Sequence, residues 1–265
     1  MQIIIDGKIA DIKLDIEKTL GDVFSGLELW LEDLGQCISG FEIDGGAYSD
    51  GFDLLFEKDL NGIKELWIIT TPVNVLFFDA LNRAKAALDS LSKENSGNEK
   101  QLDEWKKSAG ASFLSERDTA LYALICAAFS SGDKGLALSE IEERHKELLN
   151  PEAEFLSMEH DVDEIIKRLE DYSLDMQTGN DKKSAQTVVL FSTIAEKLFR
   201  LLHIMNSRKN DLLDEFTQVL KEFLVSYENN DMILSGDLAE YEIAPRLKKL
   251  FDLLKNNANS FEESA

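Results

Sequence analysis

Apolar residues recur at spacings of three and four through most of the chain after residue 72, and this periodicity restricts that part to helices. The two clearest stretches contain Val188, Phe191, Ile194, Leu198, Leu201, Leu202 and Met205, then Leu212, Leu213, Phe216, Val219, Leu220, Phe223, Leu224 and Tyr227. A short link between them favours an antiparallel pair of helices. Further helices are predicted from Pro72 to about Lys93 and over residues 113–129, 136–149 and 151–172, and we expect a bundle of about six helices.

The first 71 residues follow a different pattern, with short segments that predict strands. Two β-branched runs, Gln2–Ile5 and Ile9–Leu14, flank Asp6-Gly7-Lys8, and an Asp-Gly between such runs is a strong signal for a hairpin. Apolar residues at helical spacing then predict a helix from Leu20 to about Leu34, with Thr19 as its cap.

Two more strands complete this N-terminal pattern. Residues 38–43 and 64–70 predict the third and fourth strands, separated by a glycine-rich loop. We expect Trp30, on the helix, and Trp67, on the fourth strand, to fill the small core between helix and sheet.

The order of these elements resembles the β-grasp, or ubiquitin-like, fold, in which a hairpin leads into a helix that crosses the sheet and a final strand pairs beside the first. The resemblance covers residues 1–71 and rests on element order and length. It implies a docking surface on the exposed sheet face or on an edge strand. Conjugation and sulfur carriage need a free C-terminal Gly-Gly, and they are excluded because Thr70-Thr71 leads into Pro72 and further helices.

We therefore predict an α+β protein, with a β-grasp-like domain at residues 1–71 and an all-α helical bundle at residues 72–265. A chain of 265 residues is long enough for two domains. Its apolar fraction of 44% beside 30% charged residues is typical of globular proteins and argues against disorder.

The charge balance narrows the classes of partner. The chain carries 28 basic and 51 acidic residues, a net charge of -23. Negative charge repels phosphate backbones and anionic lipids, so we expect no binding to nucleic acid or to membranes. A basic protein surface would be attracted, at a rate that falls as salt screens the field.

The sequence also indicates a compartment. It begins with Gln2-Ile3-Ile4-Ile5-Asp6 after the first methionine, without the basic and apolar regions of a signal peptide, and we expect a cytoplasmic location. Cys37 and Cys126 stand among apolar neighbours rather than in a Cys-x-x-Cys pair, which predicts two buried, reduced thiols.

Motifs for catalysis or cofactor binding were sought and are absent. The chain has no Gly-x-Gly-x-x-Gly, no phosphate-loop sequence and no Gly-x-Ser-x-Gly. Glu142 and His145 form one Glu-x-x-His, half of a di-iron carboxylate site, but neither of the other histidines has a matching glutamate. We predict no catalytic residues, no cofactor and no metal site.

Three residues are candidates for an interaction surface: Trp105, Tyr241 and Arg246. Aromatic and arginine side chains are favoured anchors at interfaces. Tyr241 and Arg246 flank Pro245, which we expect to kink a last helix that begins at Asp237; a kinked core helix is the alternative for this segment. Trp105 lies in a polar stretch, which predicts an exposed anchor or a plug between domains.

These expectations favour a non-enzymatic adaptor or scaffold whose acidic surface recruits a basic protein partner. The helical bundle would supply a second partner surface or a homodimer interface. Two alternatives stay open. One is an enzyme, or a ligand- or metal-binding protein, with a pocket between bundle helices, and the other is an acidic mimic of nucleic acid.

Overall fold

A computed structural model describes residues 1–14, 16–47, 57–91, 98–205 and 211–262. The chain forms two compact units, Met1–His145 and Lys146–Ala265. A small mixed sheet comes first and helices predominate among the described residues after it, so the predicted α+β class with a helical C-terminal part is confirmed. The predicted domain boundary between residues 71 and 72 lies inside the first unit and stays a prediction.

Within the described residues, the first unit begins with a five-stranded sheet: β1 (Gln2–Ile5), β2 (Lys8–Ile9), β3 (Gln36–Ile43), β4 (Gly46–Ala47) and β5 (Glu65–Pro72). The strand order is β2-β1-β5-β3-β4, and β1 runs parallel to β5. The predicted hairpin is confirmed, because Asp6 and Gly7 connect β1 to β2 with positive φ angles of 48° and 78°, as a two-residue hairpin turn requires. β2 is shorter than predicted, since residues 10–14 form no strand.

The helix α1 (Leu20–Asp33) packs on one face of this sheet. Thr19 caps it as predicted: its Oγ accepts a hydrogen bond from the backbone N–H of Asp22 at 3.2 Å, and the Asp22 carboxylate accepts one from the backbone N–H of Thr19 at 2.9 Å. These reciprocal bonds satisfy two amide groups that the helix leaves without internal acceptors.

Among the described residues, the core between α1 and the sheet contains aliphatic side chains and the rings of Phe24 and Phe41, which meet edge to face at 5.0 Å. The prediction that Trp30 and Trp67 fill this core is wrong, because they are 50% and 38% exposed. On β5 the inward positions belong to Leu66 and to Ile68, so the alternation of a strand places Trp67 on the opposite face.

The first unit continues with the helices α2 (Val73–Asp89), α3 (Asn98–Lys106), α4 (Ala109–Arg117), α5 (Thr119–Ser131) and α6 (Gly135–Leu149), the last of which crosses into the second unit. The single helix predicted over residues 113–129 is therefore two helices. Asp118 separates them: its carboxylate accepts from the backbone N–H of Leu121 at 3.0 Å and from Nε of Arg144 at 2.9 Å. Both charged side chains are buried, so this ion pair anchors the break inside the unit.

The second unit contains α7 (Pro151–Ser157), α8 (Glu159–Glu170), α9 (Tyr172–Gln177), α10 (Asp181–Ile204), α11 (Asp211–Glu228), α12 (Met232–Asp237) and α13 (Ala244–Glu262). The two clearest predicted helices are confirmed as α10 and α11. Their ring pairs Phe191–Phe223 and Phe199–Phe216 run in opposite directions along the two helices, as an antiparallel pair requires. The helix predicted over residues 151–172 is instead divided into α7, α8 and the start of α9, so the bundle has more helices than the six predicted. Over the residues described, none of the helices combines the length and the apolar character needed to cross a membrane.

A π-helix, Leu238–Ile243, lies between α12 and α13. Asp231 caps this last helical stretch by accepting from the backbone N–H of Leu234 at 3.1 Å, so the prediction that the stretch begins at Asp237 is wrong. Pro245 is the second residue of α13, after Ala244. Because proline has no N–H to donate, the wider turn before it lets the helix continue past the missing bond.

Candidate functional site

The sheet face turned away from α1 carries apolar side chains that stay exposed. In the strand register, Ile9 lies opposite Ile4, Ile4 lies beside Trp67, and Trp67 lies beside Glu42. Directly paired residues point to the same side of a sheet, so these four side chains form one row across it. Ile9 is 71% exposed at one end of the row, while Ile4, between two apolar neighbours, is 6% exposed.

Ile69 extends this row by one step along β5. Its side chain is 51% exposed, and the residue paired with it on β3 is Gly40. A Cβ at Gly40 would lie 3.6 Å from Cδ1 of Ile69. The missing side chain therefore leaves Ile69 open to solvent. We refer to Ile4, Ile9, Glu42, Trp67 and Ile69 together as the outer sheet face.

Carboxylates border the outer sheet face. Nε1 of Trp67 donates a hydrogen bond to Oε2 of Glu65 at 3.2 Å, which orients the indole, and Glu42 lies on its other side. Residues 1–71 contain 15 acidic and 5 basic residues, a net charge of -10. An apolar row bordered by carboxylates is complementary to a partner that combines apolar anchors with basic residues.

Asp6 fixes the end of the outer sheet face next to Ile69. Its carboxylate accepts two hydrogen bonds from Thr70, one from the backbone N–H at 2.9 Å and one from the hydroxyl at 2.6 Å. The hydroxyl bond, followed by the backbone bond, holds the pKa of Asp6 below its ordinary value. The hairpin turn is thus tied to β5 by a carboxylate that remains ionised at neutral pH.

A second feature of the first unit is a cleft of about 520 Å³ that carries three glutamates; we call it the acidic cleft. It is lined by Ser25, Glu28, Leu29, Glu32, Gln36, Cys37, Ile38, Leu76, Phe113, Glu116 and Arg117. Nη1 of Arg117 lies 2.7 Å from Oε1 of Glu32. Burial, followed by the charge of Glu116, raises the pKa of Glu28.

The two cysteines are free and half-buried, which corrects the expectation that both are buried. Sγ of Cys37 donates a hydrogen bond to the backbone carbonyl of Thr71 at 3.4 Å. Burial raises the pKa of the Cys37 thiol, and a thiol that stays protonated is a poor nucleophile. The acidic cleft therefore holds no activated cysteine.

Trp105 is buried rather than exposed. Its side chain is 6% exposed and stacks on Tyr122 and Phe129 of α5, with ring centroids 5.3 Å and 5.8 Å away. This placement corrects the expectation of an exposed anchor. The polar neighbours that suggested exposure occupy the outer side of α3, while the indole occupies its inner side.

Tyr241 and Arg246, the other two predicted interaction residues, lie in the second unit. Tyr241 is 63% exposed in the π-helix, and its hydrogen bond to Glu240 raises its pKa. Arg246 is half-buried, forms an ion pair with the carboxylate of Glu242 and donates to the backbone carbonyl of that residue at 3.2 Å. Tyr241 is thus accessible to a partner, whereas the guanidinium of Arg246 is already paired with Glu242, four residues before it.

The Glu-x-x-His motif serves packing and an ion pair. Oε1 of Glu142 accepts from Nζ of Lys85 at 3.2 Å, and the ring of His145 packs 4.8 Å from that of Phe78. Burial lowers the pKa of His145, which favours the neutral imidazole. In the part of the chain that the structure describes, no three histidine, cysteine, aspartate or glutamate side chains converge in a way that could hold a metal ion.

Sequence analysis did not identify Trp67 and Ile69 as surface residues. Every position of Leu66-Trp67-Ile68-Ile69 is apolar, so alternation alone does not show which face of the strand is buried. The informative residue was Glu42, which stands between two apolar residues and marks the outer face of β3. Once β3 is paired with β5, its register assigns Trp67 to that face.

Comparisons with known proteins match the two ends of the chain separately. The family described as the TP0873 N-terminal domain matches residues 1–72, and a domain of unknown function, DUF8042, matches residues 155–253. A protein of Treponema pallidum (strain Nichols), described as uncharacterized, is 29% identical over 96 residues, which cover 32% of this chain and 48% of that protein. The chain therefore spans about half the length of this curated relative. No solved structure matches the chain. The chain is thus similar to the TP0873 N-terminal domain in its sheet and to DUF8042 in its second unit.

Proposed function

We propose that this chain is a non-enzymatic protein-interaction adaptor whose outer sheet face binds a basic protein partner. The observation that carries the proposal is that Ile9, Trp67 and Ile69 are exposed on the sheet face opposite α1. Contiguous apolar surface is rare on soluble monomers unless it serves binding. Tryptophan is also a favoured anchor at the centre of interfaces.

We further infer that residues 1–72 adopt a β-grasp fold. The order of the elements supports this assignment: a hairpin of β1 and β2, the helix α1, and a last strand, β5, parallel to β1 at the centre of the sheet. A domain of this kind whose last strand continues into a helix has no free C-terminal tail to conjugate. Docking through the sheet is the use that remains.

An adaptor needs a second binding surface, and the second unit offers a candidate. A cavity of about 420 Å³ lies along α11 and α12, where Val225 and Leu234 are 56% and 46% exposed. Tyr241, in the π-helix that follows, adds an exposed aromatic side chain. The free thiols of both cysteines are compatible with the cytoplasm, where we place the complex.

The test compares affinity capture by the full chain and by charge-reversing variants of the outer sheet face. Trp67→Lys and Ile69→Lys place a positive charge where a basic partner would dock, so each is expected to reduce the amount of specifically captured partner at least tenfold. Trp67→Phe keeps an aromatic anchor and should retain most of it. Val189→Lys, at a side chain that is 67% exposed on α10, introduces the same charge elsewhere and is the matched control.

Salt supplies an independent readout. Attraction between an acidic surface and a basic partner weakens as ionic strength rises, and the association rate falls more than the dissociation rate changes. Capture that survives high salt unchanged would contradict recruitment by charge. Equal loss in the Trp67→Lys and Val189→Lys variants would contradict the outer sheet face as the binding site.

A further inference from the structure

A groove of about 510 Å³ runs along α1, on a side of the first unit distinct from the outer sheet face. One wall is formed by Val23, Gly26, Leu27 and Trp30. These residues are three and four positions apart, so they form a single stripe along two turns of the helix. The opposite wall comes from the chain segment between β2 and α1, where Ile12 and Leu14 face the groove.

The groove has an apolar floor and partly exposed apolar rims. Val23 and Leu27 are 3% and 4% exposed and belong to the core beneath. Ile12 and Trp30, at the rims, are 38% and 50% exposed. The volume lies within the range of about 300–1,000 Å³ that is usual for binding pockets. Ile12 and Trp30 are thus exposed to solvent beside an open apolar groove.

Gly26 is the feature of the groove that the fold itself does not explain. It lies in the middle of α1, where glycine is the least favourable residue apart from proline. A Cβ at this position would meet no atom within 4 Å. The packing of the described residues therefore does not require a glycine here, whereas an occupant that approaches the helix backbone would.

The charges at the groove indicate which kind of occupant fits. Among the described residues that line it, the charged ones are Asp11 and Glu17, both acidic. Lys13 lies between two lining residues but does not line the groove itself. An occupant with basic residues beside its apolar anchors would be attracted. A second copy of this chain would bring a further net charge of -23 and would be repelled.

We infer that this groove binds an amphipathic helical segment of a basic protein, with apolar side chains over Gly26 and lysine or arginine residues beside Asp11 and Glu17. Two helices pack closely where one of them presents a small residue, and an apolar stripe set into a hydrophobic groove is an established mode of peptide recognition. The inference rests on the proposed protein-binding function but adds a second binding site, away from Trp67.

The test uses a synthetic fluorescein-labelled peptide with leucines at positions i, i+3, i+4 and i+7 and lysines at the exposed positions. Binding to the full chain is measured by fluorescence anisotropy, and contact residues are mapped by amide chemical shifts. We expect the amides of α1 from Val23 to Trp30 to shift. A matched peptide with glutamate in place of lysine should bind at least tenfold more weakly.

Gly26→Leu is the decisive variant, because it fills the groove and replaces a poor helix former with a good one. Its urea midpoint should equal or exceed that of the unchanged chain, while its affinity for the lysine peptide should fall at least tenfold. Ser25→Leu places the same side chain on another side of α1, outside the groove, and should leave the affinity unchanged.

Equal peptide affinity for the Gly26→Leu and Ser25→Leu variants would overturn the inference, since it would show attraction to the acidic chain in general. So would chemical shifts confined to residues outside the groove. These outcomes are separable from failure of the proposed function, because capture that depends on Trp67 would remain in the Gly26→Leu variant. If Gly26→Leu left the affinity for the lysine peptide unchanged and Trp67→Lys left protein capture unchanged, both proposals would be wrong.

Discussion

Glu147 is fully buried, and Arg200 compensates its charge. Its carboxylate accepts two hydrogen bonds from Arg200, from Nε at 2.9 Å and from Nη2 at 2.8 Å. Removing one partner of such a pair leaves a buried charge without compensation. Arg200→Ala should therefore lower the free energy of unfolding by about 3–5 kcal/mol, as measured by urea denaturation.

The matched control for this pair is Arg168, which forms an ion pair with Glu164 one helical turn away. Both side chains are about one-third or more exposed, at 34% and 44%. Surface pairs of this kind contribute little, so Arg168→Ala should change the free energy of unfolding by roughly 0.5 kcal/mol or less. Similar losses in the two variants would show that burial does not distinguish them.

Glu28, in the acidic cleft, should affect stability in a pH-dependent way. Its pKa is raised in the folded protein by burial and then by Glu116, so the folded state binds more protons than the unfolded state between the two pKa values. Stability is lost as pH rises through that window and stays lower above it. Glu28→Gln should raise the free energy of unfolding at pH 7 by at most about 0.5 kcal/mol, because the side chain is only partly buried and water screens its charge.

The same comparison near pH 3.5 provides the internal control for Glu28. There the carboxyl is protonated in both states, so the variant and the unchanged chain should have equal stability. Urea midpoints at the two pH values measure the effect. A variant that is less stable than the unchanged chain at pH 7 would show that Glu28 makes a favourable contact that outweighs the repulsion from Glu116.

At the scale of helices and strands, the Thr19 cap determines where α1 begins. Thr19 supplies the side-chain oxygen for the first turn, and Asp22 returns a bond to the backbone of Thr19. Loss of such a cap usually costs about 0.5–2 kcal/mol. Thr19→Ala should therefore lower the urea midpoint, whereas Thr193→Ala, in the interior of α10, should be neutral or slightly stabilising because alanine is the better helix former.

Local sequence signals predicted the elements that are stabilised by residues close together in the chain. The Asp6-Gly7 turn and the Thr19 cap each depend on residues within four positions, and both are present. The break at Asp118 is only partly local: its cap bond from Leu121 lies within three positions, but its ion pair with Arg144 joins residues 26 positions apart, which a local pattern does not show. The exposed face of β5 was missed for the same reason: its orientation is set by pairing with β3.

At the scale of the whole chain, hydrophobic periodicity and the order of the elements predicted the α+β class of fold. The helical periodicity of residues 188–227 corresponds to the centre of the second unit. No sequence signal marks residue 145, since the interior of α6 contains neither proline nor glycine and the helix passes through the boundary without interruption. A division inside a helix depends on which residues pack together, and single-sequence patterns do not contain that information.

The second unit should fold when separated from the first. Among the described residues, its hydrophobic core runs from Phe155 to Leu254, and the ion pair of Glu147 with Arg200 is contained in residues 146–265. We expect a fragment of residues 146–265 to unfold in one cooperative transition by circular dichroism. A fragment of residues 150–265 retains the whole core but lacks Glu147, so it should be less stable by about 1–3 kcal/mol. If both fragments had the same stability, the carboxylate would not stabilise the unit; if neither unfolded cooperatively, residues 146–265 would not be an independent domain.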